Sequence, residues 1–83
     1  MAYDVDVSRV AKVLKIGRRY LSWVQNSLLE GQLTEAQLER LKTDLKKVVD
    51  EAEDSIVFYL LRQEQYMKRE LLGQNKGGQT LVI

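Results

Sequence analysis

The sequence contains no histidine and no cysteine. Without cysteine there can be neither a disulfide nor a thiolate-bound zinc. Without histidine, the commonest metal ligand and the commonest general base near neutral pH are both missing. Any hydrolytic chemistry must therefore rest on carboxylates, tyrosine, lysine or a metal held by carboxylates. Long apolar runs are absent too, and none approaches the ~20 residues of a membrane-spanning helix. Asp4 and Asp6 interrupt the first segment early, which argues against a secretory leader. The expected compartment is the cytoplasm, with no membrane partner.

What is present is a short, balanced chain. Its 83 residues are 45% hydrophobic and 30% charged, with a formal net charge of +1. This is the composition of one globular domain, residues 1–83. A chain of this size buries only ~60% of the surface its unfolded form exposes. Self-association is therefore expected.

Ala2 to Asp4 reads as the end of a strand. Ser8 to Leu21 reads as a helix, because Val10, Val13, Leu14, Gly17 and Leu21 fall on one face. Asp6 or Ser8 is its expected N-cap. Gly17 weakens a helix, by roughly 1 kcal/mol relative to Ala, but on a buried face it permits close approach to a sheet. "SWVQNSLLEGQL" is β-prone up to Glu30, as one strand or as two split near Gln25 to Ser27 or at Gly31. "TEAQ" is a capping box with Thr34 as N-cap and Gln37 at the third helical position. Leu38, Leu41, Leu45, Val48 and Val49 then form an apolar stripe. "DSIVFYLLR" and "YMKRELLG" read as a strand pair, and "TLVI" as a short terminal strand after the turn "QNKGGQ". The class is α+β.

Ile56, Phe58 and Leu60 alternate with Val57, Tyr59 and Leu61, so this strand is apolar on both faces. Two helices cover only one face of such a sheet. A second copy of the same sheet is the simplest cover for the other.

The near-neutral total hides an uneven distribution. The first helix carries Arg9, Lys12, Lys15, Arg18 and Arg19 and no acidic residue. Such a face is either merely solvated or a surface that contacts phosphates. Asp4 and Asp6 have two readings as well. They cap the first helix and favour its dipole, or they bind Mg²⁺, which needs only one or two protein carboxylates and keeps several waters. Tyr59 reads as sheet packing, Trp23 as an anchor for the sheet or a dimer, and Glu30 as a structural strand-end residue.

Taken together, "YDVD", "RVAKVLKIGRRYL", "VQNSLLEG" and "DSIVFYLLR" closely resemble the CRISPR-associated protein 2 family. The likeness spans nearly the whole chain in order. "VQNSLLEG" is similar to the family's Gln-x-Ser-x-Phe-Glu-Gly signature at Gln25, Ser27, Glu30 and Gly31. The resemblance implies a ferredoxin-like βαββαβ sheet with two helices on one face and a short C-terminal strand. It implies a homodimer with facing sheets, in which residues 73–83 form a tail strand pairing with the partner subunit. It further implies a CRISPR adaptation protein that bridges subunits of the integrase, CRISPR-associated protein 1, and holds foreign DNA. An Mg²⁺-dependent endonuclease activity on single-stranded RNA or duplex DNA belongs to the same picture. Asp4 matches the family's catalytic strand-end Asp, the Mg²⁺ ligand, and Tyr3 the aromatic before it. Arg9, Lys12, Lys15, Arg18 and Arg19 fall in the helix region expected to bind nucleic acid. Two departures stand out: only Met1 and Ala2 precede Tyr3, and Leu29 replaces the usual Phe. A toxin ribonuclease of the VapD kind shares the fold and a strand-end Asp and is the alternative. An RNA-recognition sheet fits less well, because "DSIVFYLLR" lacks the Gly-aromatic pattern that stacks bases.

Overall fold

The structure is a computed structural model and describes residues 1–63 and 66–74. The elements run β1 (Ala2–Asp4), α1 (Val7–Tyr20), β2 (Ser22–Gln25), β3 (Leu28–Glu30), α2 (Glu35–Lys46), β4 (Ser55–Gln63) and β5 (Tyr66–Gly73). They form one antiparallel sheet in the order β2-β3-β1-β4-β5. The first four strands in space are those of a ferredoxin-like βαββαβ unit, and β5 extends the sheet beyond β4. The expected terminal strand at residues 80–83 lies outside the described residues.

The β-prone segment after α1 is two strands. They turn at Asn26, whose φ of 44° is left-handed, a conformation that Asn tolerates better than most residues. The Trp23 indole N–H donates to the Asn26 carbonyl at 2.9 Å and staples this turn. The split places β3 between β2 and β1, which restores the ferredoxin-like order. β1 has only three residues, yet it is the middle strand, pairing with β3 through Ala2↔Leu28 and with β4 through Tyr3↔Ile56.

Helix boundaries follow local chemistry. The Asp6 side chain accepts from the Ser8 backbone N–H at 3.0 Å and caps α1. Thr34 and Gln37 form the reciprocal capping box expected for α2, with bonds of 2.8 and 3.1 Å. The α2 helix stops at Lys46, so Val48 and Val49 leave the helical stripe; they still pack against the core from the following turn. Tyr20 Oη donates to Asp44 at 2.8 Å and ties α1 to α2. That bond raises the Tyr20 pKa, since the phenol must keep its proton to make it.

Both helices pack on one face of the sheet. Val13, Leu41 and Leu45 from the helices meet Tyr3, Leu29, Ile56, Phe58 and Leu72 from the strands and Met1 just before β1. Gly17 is the closest approach. A Cβ built there would lie 2.4 Å from Leu29 Cδ1 and 3.3 Å from Met1 Cε. The smaller Leu29 is fully buried beneath it.

The opposite face is uncovered. Strand pairing keeps Ala2, Leu28, Val57 and Leu71 in one row, with Tyr59 and Leu61 continuing it along β4. Leu61 is 69% and Leu71 38% exposed. A solvated sheet face would normally alternate to polar residues; this row stays apolar, with Arg69 beside Tyr59 and Asp4 beside Ser55 on the same face.

Candidate active site

Asp4 closes β1, the central strand, and its register partner is Ser55 at the start of β4. By alternation it shares the uncovered face with Ala2, while Tyr3 points into the core beneath the helices. Asp4 is exposed. Asp6 lies two residues on, but its carboxylate is engaged at the helix N-terminus. Bonds from the Ser8 hydroxyl and amide lower its pKa. The two carboxylates therefore separate by role: Asp6 caps, and Asp4 faces outward at the strand end.

Among the described residues no three Asp or Glu side chains converge to hold a metal. One chain thus offers Asp4 as a single carboxylate. That suits Mg²⁺, which commonly keeps most of its water shell and takes one or two protein oxygens. Asp4 is the residue that would hold it.

The predicted basic residues divide. Lys12, Lys15, Arg18 and Arg19 are exposed along α1. Arg9 is turned back into the molecule. Its Nε donates to Asp54 Oδ2 at 2.7 Å, and its Nη2 to Asp54 Oδ1 at 3.0 Å and to Glu53 at 3.1 Å. This fork holds the guanidinium proton more tightly and raises the Arg9 pKa.

Asp54 is the residue that sequence reasoning missed. Its side chain is 1% exposed, yet its carboxylate is fully partnered. Beyond Arg9, Oδ1 accepts the Asp6 backbone N–H at 3.0 Å and Oδ2 the Asp50 N–H at 2.8 Å. The Arg9 fork, above all, holds its pKa well below the usual carboxylate range, against the opposing effect of burial. Its backbone carbonyl accepts from Gln74 N–H at 2.8 Å. Gly73 lies against this point: its φ is 94°, and a Cβ there would sit 2.0 Å from the Asp54 carbonyl oxygen. The only sequence signal was an acidic cluster, Asp50, Glu51, Glu53 and Asp54, and nothing in it says which member turns inward.

The fold and the strand-end carboxylate define a small ferredoxin-like protein of the class that places an acid at the end of its central strand. Residues 1–69 match the family model described as CRISPR associated protein Cas2, and the chain belongs to that family. It is 49% identical over 83 residues to a protein of Thermotoga maritima named CRISPR-associated endoribonuclease Cas2, covering all of this chain and 95% of that one. A protein of Archaeoglobus fulgidus named CRISPR-associated endoribonuclease Cas2 2 is 51% identical over 77 residues, covering 93% of this chain and 84% of that one. A solved structure described as the crystal structure of cas2 superposes with a TM-score of 0.62 at 32% identity, covering 99% of this chain and 92% of that one. No helix among the described residues is long and apolar enough to cross a membrane.

Proposed function

We propose that two copies of this chain pair through their open sheet faces, and that the dimer serves CRISPR adaptation. In that role it bridges subunits of the integrase, CRISPR-associated protein 1, and holds foreign DNA. It also cleaves RNA or duplex DNA in an Mg²⁺-dependent reaction centred on Asp4. The observation that carries this reading is the placement of Asp4, exposed at the end of the central strand on the one sheet face left apolar, in a member of this family. The names of the relatives support the nuclease activity.

A bound Mg²⁺ supplies charge stabilisation at a phosphate and activates water for attack. Asp4 from each copy holds and orients that centre. Lys12, Lys15, Arg18 and Arg19 bind backbone phosphates along α1, where attraction is sequence-independent and weakened by salt. The chain has no imidazole to take up a proton, so its own base set is limited to carboxylates, tyrosines and lysines.

Cleavage of single-stranded RNA and of duplex DNA is compared for the wild type, the wild type with EDTA, and Asp4→Ala. Cleavage by the wild type alone is the expected result. Equal cleavage by Asp4→Ala removes Asp4 from the chemistry. No cleavage by any sample, with duplex binding retained, leaves the architectural role and removes the enzymatic one.

A further inference from the structure

The geometry points to Asp54, acting with Arg9, as the positioning residue that fixes the backbone carrying Asp4. This rests on the reading of Asp4 as the metal ligand. Asp4 is held on one side by the strand ladder, where it faces Ser55. Beyond Asp4 the chain leaves the sheet, and β1 has no further rungs. The next attachment is the Asp6 amide, bound at 3.0 Å by the carboxylate of Asp54, the residue just before β4. Asp54 directly precedes Ser55, the first residue of β4, so two adjacent residues grip the chain on both sides of the Asp4–Val5 link.

The carboxylate is itself rigid. Its two bonds from Arg9 fix the plane of the group, and the Asp50 N–H occupies a further lone pair of Oδ2. Arg9 lies in the first turn of α1, so the same fork sets where that helix starts relative to the strand end. The Asp54 backbone is also held, by Gln74 on one side and by its own N–H to Asp50 on the other. A buried acid that neither faces the sheet's open side nor reaches solvent thereby determines where an exposed acid stands.

Free Mn²⁺ is titrated by electron paramagnetic resonance against wild type, Asp4→Asn, Asp54→Asn and Arg9→Lys, with amide exchange followed in the same proteins. Asp4→Asn should abolish the site. Asp54→Asn and Arg9→Lys should each weaken Mn²⁺ binding by roughly tenfold, the scale on which supporting partners act at metal sites. The Asp6 amide should exchange faster, while the Tyr3 amide, bound to the Ser27 carbonyl at 3.0 Å, stays protected. A folded Asp54→Asn with wild-type Mn²⁺ affinity overturns the assignment. Should that variant fail to fold, Arg9→Lys decides by the same criterion. If wild type and Asp4→Asn bind Mn²⁺ alike, the metal reading of Asp4 has failed instead. The Asp6 amide then decides alone: selective loss of its protection supports Asp54 as the clamp, and unchanged protection overturns it.

Discussion

At the scale of single residues, two acids bear on the link between β1 and α1 and do opposite things. Asp4 is exposed and faces outward; Asp54 is buried and receives hydrogen bonds from the backbone and from Arg9. The second arrangement has a pH signature. A carboxylate whose folded pKa lies below its unfolded value stabilises the fold fully above the unfolded value, ~3.9 for Asp. That contribution is lost progressively as pH falls below it toward the depressed folded pKa. The wild type should therefore lose stability steeply in acid. Asp54→Asn, less stable at neutral pH, should show a flatter acid limb, read by urea unfolding from pH 7 down to about 2, a range set by that same linkage. Asp54→Ala should cost about 3–5 kcal/mol at neutral pH, because it leaves the Arg9 guanidinium partly buried without its main partner.

Arg9 also separates from the other cations at this scale. Its side chain is 24% exposed and is bound by Asp54 and Glu53. Lys12, Lys15, Arg18 and Arg19 remain exposed. Each phosphate contact adds ~0.9 to the slope of log affinity against log salt for duplex DNA. Replacing Arg18 and Arg19 by Gln should reduce that slope by up to about 2. Arg9→Gln should leave the slope unchanged, as fluorescence anisotropy over a salt series would show. The helix face was legible as basic from its sequence. Which base turns inward was not, because the partner lies 45 residues away in the chain.

At the scale of elements, the helices were the most readable parts. The α1 helix spans Val7–Tyr20 against an expected Ser8–Leu21, and α2 begins at its capping box. Both rest on local rules: a 3.6-residue stripe and a side chain that satisfies open N–H groups. Thr34→Ala should lower stability by about 1 kcal/mol, measured by urea unfolding, since it removes the hydroxyl that accepts from the Gln37 N–H. The strands were harder. The β4–β5 hairpin was evident from two β-prone runs. The sequence alone does not fix the division into β2 and β3, because the turn carries Asn26 and Ser27 but no Gly or Pro.

Gly17 shows where propensity and packing conflict. In isolation, Gly17→Ala should strengthen α1 by up to ~1 kcal/mol. In the fold, the new methyl would meet Leu29 Cδ1 at 2.4 Å, and Leu29 is fully buried, so its side chain must shift within the core. Overpacking of this kind costs about 1–3 kcal/mol. The net change should therefore be a loss of stability, with a lower thermal midpoint on calorimetry. A higher midpoint would mean that α1 does not sit this close to β3.

At the scale of the whole molecule, the sheet has one face covered by helices and one apolar face open. This asymmetry was legible in "DSIVFYLLR", where both sets of alternating positions are apolar. The position of Asp4 on the open side was not legible, because it depends on the register Ala2↔Val57 and Asp4↔Ser55. Long-range pairing sets that register, and no local pattern records it. The same geometry connects stability to function. In the proposed dimer, stacking a second copy on the open face would bury apolar surface that a small chain otherwise leaves in water. It would also bring a second Asp4 to the site.

The most direct test is sedimentation equilibrium of the wild type and of Val57→Asp, which puts a charge in the middle of the open face without touching the helix side. The wild type should sediment at about twice the chain mass of 9.6 kDa, and the folded variant at the mass of one chain. A monomeric wild type, or a Val57→Asp variant that dimerises as tightly as the wild type, would contradict pairing through this face.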